Sequence, residues 1–63
     1  MTIQILRSDM LVFCLDDAIT QAFGKACNVV KDHLIGLPYG TVEVDGKAFD
    51  WVMKVDRVVF NEA

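Results

Sequence analysis

Residues 41–53 read TVEVDGKAFDWVM, two alternating apolar runs on either side of Asp45-Gly46. Asp-Gly between such runs is the strongest short-range hairpin signal. A two-residue type I′ turn needs positive φ at both central positions, and Asp and Gly tolerate that. The turn fixes the register, with Val44 opposite Lys47, Glu43 opposite Ala48 and Val42 opposite Phe49. Alternation then places Val42, Val44, Phe49, Trp51 and Met53 on one face, and Glu43, Ala48 and Asp50 on the other. One apolar and one mostly polar face is what an antiparallel sheet covered on one side requires.

Upstream of the hairpin, Thr2 to Leu6 alternates, with Ile3 and Ile5 on one side and Thr2 and Gln4 on the other, and reads as a first strand. Arg7-Ser8-Asp9 suits a turn. Residues 10–15 (MLVFCL) are apolar on both faces and read as a second strand, because Val12, Phe13 and Cys14 are poor helix formers; a helix starting at Met10 is the rival.

Residues 16–34 carry the clearest helical pattern. Asp16 is placed as N-cap, Asp17 in the first turn, Gly36 as a left-handed cap and Pro38 as the stop. At about 100° per residue, Ala18, Ile19, Ala22, Phe23, Ala26, Cys27, Val29, Val30, His33 and Leu34 share one half-cylinder. That arc is wider than the roughly 100° stripe a surface helix needs. After the loop 37–40 and the hairpin, the second hairpin strand runs on. Val55 continues its inner face, and Val58 and Phe60 fall on the opposite face unless a turn intervenes. A terminal helix over 51–60 is the competing reading, and the valines favour strand. The expected architecture is α+β: a small antiparallel sheet in the order ββαββ, with one amphipathic helix packed on one face and residues 1–63 as a single domain.

Size sets the energetics. A chain of 63 residues and 7.0 kDa buries roughly 6,000 Å² on folding by area scaling. If about 60% of that is apolar, burial contributes on the order of 90 kcal/mol at about 25 cal/mol/Å². Ordering the chain costs about 1.5 kcal/mol per residue, nearly the same sum. The chain is nevertheless 54% hydrophobic, with mean hydropathy +0.38. Small domains close this gap with disulfides, metals or association. Cys14 and Cys27 match no metal or redox spacing, and are expected to be free, buried thiols of a reducing cytosol.

Candidate chemistry is sparse. His33 has only Val30 and Val29 as its near helix neighbours, so nothing local orients it, and a packing role is expected. Ser8 has no base nearby, and no glycine-rich fingerprint leads into a helix. No cofactor, metal or catalytic residue is assigned. Net charge −3 and scattered basic residues speak against direct nucleic-acid binding. The longest apolar run is too short to cross a membrane or to serve as a signal peptide, so a cytoplasmic location is expected.

The function expected from these features is a small non-enzymatic protein-interaction module. It is homodimeric and buries the sheet's back face and the helix flank, with Leu11, Phe13, Leu15, Val52, Val58 and Phe60 as candidate interface residues. An alternative is a small acidic inhibitor or adaptor that docks on a larger protein, on its nucleic-acid-binding surface for example, using Glu43, Asp45, Asp50 and Asp56. A further alternative is a small enzyme or ligand-binding protein with a site at a dimer interface.

Overall fold

The computed structural model describes residues 1–31 and 37–63, with the side chain of Lys31 outside that description. The elements are β1 (Thr2–Leu6), a 3₁₀ turn (Arg7–Asp9), α1 (Leu15–Phe23), β2 (Val29–Lys31), β3 (Tyr39–Val44), β4 (Lys47–Met53) and β5 (Arg57–Glu62). The strands form one antiparallel sheet in the order β1-β5-β4-β3-β2, so β2 to β5 are a meander and β1 closes onto β5. The class is α+β: among the described residues, a small antiparallel sheet carries one α-helix on one face. The order is βαββββ and not ββαββ.

The hairpin forms as its local chemistry dictates. Asp45 has φ 51 and Gly46 φ 82, and Val44, Glu43 and Val42 pair with Lys47, Ala48 and Phe49. Val42, Val44, Phe49 and Trp51 are buried on the inner face. The indole of Trp51 lies flat against Gly40, where a Cβ would stand 2.9 Å from Trp51 Cζ2. Among the described residues, Trp51 Nε1 is a buried donor without a hydrogen-bond acceptor.

Two expectations are corrected upstream. Residues 10–14 form no strand, and the helix starts at Leu15 rather than at Met10. After the 3₁₀ turn the chain leaves the sheet, and its backbone is drawn into capping α1. Val12 N–H donates to Asp17 Oδ2 at 3.4 Å and Cys14 N–H to the Val12 carbonyl at 2.9 Å. Cys14, not Asp16, is the N-cap residue, its Sγ accepting from Asp17 N–H at 3.4 Å.

The helix also ends early. Gly24 takes φ 90, a conformation side chains rarely adopt, and its N–H closes on the Thr20 carbonyl at 2.8 Å. Beyond it Val29 and Val30 enter a strand, where their β-branched side chains are favoured. The over-wide apolar arc was therefore two elements superposed. Ala18, Ile19, Ala22 and Phe23 are the helix's inner face, and Cys27 and Val29 pack on the core from the connection and β2. The expectations for His33, Leu34 and Gly36 lie outside the described residues.

A turn at Lys54–Asp56 separates β4 from β5, closed by Lys54 N–H donating to the Arg57 carbonyl at 2.7 Å. It reverses the chain, so Val58 and Phe60 return on the inner face, opposite Met53 and Trp51. Val55, expected on the inner face, stands at the turn, 87% exposed. Phe60 is fully buried, and Phe23 from the helix packs on it and on Phe49, with ring centroids 5.3 and 4.9 Å apart. This aromatic trio joins helix to sheet.

Candidate interaction surface

The back face of the sheet is read directly from the register. Gln4 pairs with Val59, Val59 with Val52 and Val52 with Tyr39, one row across β1, β5, β4 and β3. Neighbouring strands lie about 4.8 Å apart, so Tyr39, Val52 and Val59 form a continuous apolar strip. Tyr39 is 57% and Val52 39% exposed, while Val59, in the middle of the sheet, is covered by its neighbours. The next row is polar, with Thr2, Asn61, Asp50 and Thr41 in register.

At the end of this face, the Arg7–Asp9 turn meets the β4–β5 turn, and Arg7 N–H donates to the Asp56 carbonyl at 2.7 Å. An open depression here is lined by Leu6, Met10, Val55 and the charged Arg7, Asp56 and Arg57. The charges are already engaged. Arg57 grips Asp56 through both Nε and Nη2, at 3.1 and 2.8 Å, and its Nη1 donates to Gln4 Oε1 at 2.7 Å. That fork holds the Asp56 carboxyl below the usual range, chiefly through the hydrogen bond itself, and raises the guanidinium. The Arg7 guanidinium stands 4.9 Å over the Phe13 ring.

The candidate interface residues separate into three groups. Val52 lies on the exposed back face. Leu11 is 97% exposed on the loop before α1, and Phe13 and Leu15 are half-buried, packing on the core from the helix side. Val58 and Phe60 are core residues with no exposed surface, because the turn at 54–56 restores them to the inner face. Tyr39, Val59 and Leu6 belong to the exposed side and were not anticipated; once β5 is known to begin at Arg57, alternation from Val58 assigns Val59 outward. Among the described residues the helix flank offers no comparable strip, since Ala26 and Cys27 belong to the connection and Val29 and Val30 to β2.

The four acidic residues are likewise dispersed in role. Asp45 is bound to Asn28 across the turn and Asp56 to Arg57. Glu43 and Asp50 point outward from the back face at exposed positions.

The two thiols are free and half-buried. Cys27 donates to the Phe23 carbonyl at 2.6 Å, and burial, reinforced by the nearby Asp45 carboxylate, pushes its pKa up. Among the described residues no group of three His, Cys, Asp or Glu side chains is placed to hold a metal ion, and no helix is long and apolar enough to cross a membrane. No protein-family model, no curated protein and no solved structure matches this chain.

Proposed function

We propose that this chain is a small, non-enzymatic protein-interaction module that works as a homodimer. The observation that carries the reading is the row Tyr39–Val52–Val59, an apolar strip running across three strands of the sheet's uncovered face. A chain whose single-copy energetics are close to balance gains from covering such a strip, whereas a scattered exposed valine needs no explanation. The pairing of Arg57 with Asp56 at one end of the strip supports a protein partner there, because that pair brings no uncompensated charge to be desolvated. A second copy is the partner that accompanies the chain wherever it is made, and self-association supplies the stability that so small a core lacks. Light scattering after size exclusion, across micromolar dilution, tests the proposal: a dimer mass that falls on dilution supports it. A folded monomer at every concentration contradicts it.

A further inference from the structure

The strand β1 is an outer strand of the sheet, and its pairing geometry determines what its free side presents. Glu62 N–H donates to the Met1 carbonyl at 3.0 Å and Arg7 N–H to the Asp56 carbonyl at 2.7 Å. Residues of an antiparallel strand direct their N–H and C=O groups alternately to the two sides. The bonds to β5 therefore run through Met1, Ile3, Ile5 and Arg7. The amide groups of Thr2, Gln4 and Leu6 face outward along the open edge.

Open edges invite pairing, and proteins blunt them with charges, prolines, bulges or brevity. Strand β1 has none of these. Thr2–Leu6 contains no ionisable side chain and no proline, and its register to β5 runs from Thr2 to Leu6 without a bulge. The opposite outer strand, β2, is described over Val29–Lys31 and carries a lysine.

We infer that two copies of this chain join through β1, antiparallel about a two-fold axis at Gln4, making one continuous sheet. The inference rests on the self-association proposed above and assigns it to the β1 edge, a pairing that extends the back-face strip Tyr39–Val52–Val59 without covering it. The sequence around Gln4 is symmetric in character, Ile-Gln-Ile, which suits pairing with itself. Gln4 exchanges both N–H···O bonds with Gln4 of the second copy, and Leu6 N–H donates to the Thr2 carbonyl there. Ile3 faces Ile5 of the second copy as a close, non-hydrogen-bonded pair on the helix side. Both isoleucines are half-exposed along this edge, so the pairing covers apolar surface and brings no like charges opposite each other within Thr2–Leu6. Because Gln4 lies in the same row as Val59, Val52 and Tyr39, the back-face strips of the two copies become halves of one row.

The test uses the full chain and two substitutions at one position. Gln4→Pro deletes the outward N–H and leaves the backbone bonds to β5 intact, whereas Gln4→Ala keeps the backbone donor; both lose the bond from Arg57 Nη1 to Gln4 Oε1, so the comparison isolates the N–H. The expected result is a dimer for wild type and Gln4→Ala, with Gln4→Pro weakened at least about tenfold and its circular dichroism unchanged. A folded Gln4→Pro that dimerises as tightly as wild type overturns the edge interface while leaving self-association standing; a wild-type monomer at all concentrations overturns both. If Gln4→Pro does not fold, amide exchange on wild type decides. Slow exchange at Gln4 and Leu6 that becomes fast on dilution, with Ile3 and Ile5 slow throughout, supports the inference. Fast exchange at Gln4 in the concentrated dimer refutes it.

Discussion

Asn28 and Asp45 hold each other through two hydrogen bonds: Asp45 N–H donates to the Asn28 carbonyl at 2.8 Å, and Asn28 N–H donates to Asp45 Oδ1 at 2.9 Å. One aspartate thus serves as turn residue of the β3–β4 hairpin and as the anchor for the start of β2. The two roles are separable by substitution. Asp45→Gly keeps a residue at ease at positive φ and loses only the carboxylate acceptor, so it should cost about 0.5–1.5 kcal/mol. Asp45→Ala also strains the φ 51 backbone and should cost about 1–2 kcal/mol more. Urea unfolding of both variants measures the difference.

The end of the helix depends on Gly24. A Cβ there meets nothing within 4 Å, so the cost of Gly24→Ala is confined to the backbone at φ 90. The variant should be destabilised by about 1–3 kcal/mol. Were the helix continuous through residue 24, alanine would instead be stabilising by about 1 kcal/mol, so the sign of the change decides between the two.

Phe60 and Leu11 stand at opposite extremes of burial, although both are plausible surface residues by pattern alone. Phe60→Ala should cost about 3–5 kcal/mol, since it removes one of the two rings that Phe23 packs against. Leu11→Glu should change stability by no more than about 0.5 kcal/mol. Thermal unfolding of the pair checks the assignment of β5 to the core.

Acid should weaken the closure of β5 at its far end. Lys47 Nζ lies 3.0 Å from Glu62 Oε1, and the amino group of Met1 lies 3.5 Å from Oε2. The Lys47 hydrogen bond and the two positive charges hold the Glu62 carboxyl below its usual range. A carboxyl whose folded pKa is lowered contributes stability that is complete above its unfolded pKa and is lost as pH falls through the folded one. Asp56, lowered by Arg57, contributes in the same direction. Urea midpoints should therefore fall between about pH 6 and about pH 3, less steeply in Glu62→Gln, and the difference should shrink with added salt because these pairs are exposed.

The thiol of Cys27 titrates in the opposite sense. Its pKa is raised in the fold, so above the usual thiol value the unfolded chain releases a proton that the folded chain retains. Stability should consequently fall as pH rises past about 9, and the fall should disappear in Cys27→Ala. Alkylation rates at Cys27 should rise only at higher pH than those of a free thiol.

How far the sequence discloses this fold depends on the range of the interactions involved. The hairpin about Asp45-Gly46 is legible to the single residue, because turn chemistry and register act over a few neighbours. Strand β1 is legible for the same reason: its alternation is complete within Thr2–Leu6. The helix start is legible only roughly, since a cysteine Sγ stands where an aspartate is the ordinary cap. Its end is obscured because Ala26, Cys27, Val29 and Val30 continue a helical period that Gly24 interrupts, and a mid-helix glycine is tolerated often enough to be passed over. Val58 and Phe60 follow a turn whose only sequence mark is Lys54 to Asp56, and without that turn alternation assigns them to the wrong face. The back-face strip is invisible until β3, β4 and β5 are in register, because Tyr39, Val52 and Val59 are far apart in the chain.

Self-association is the claim from which the reading of function follows, and its most direct measure is mass against concentration. Sedimentation equilibrium from high to low micromolar chain should give twice the chain mass at the upper end and a decline toward one chain mass on dilution. A constant single-chain mass across that range, with the circular dichroism of the folded protein, would contradict the account.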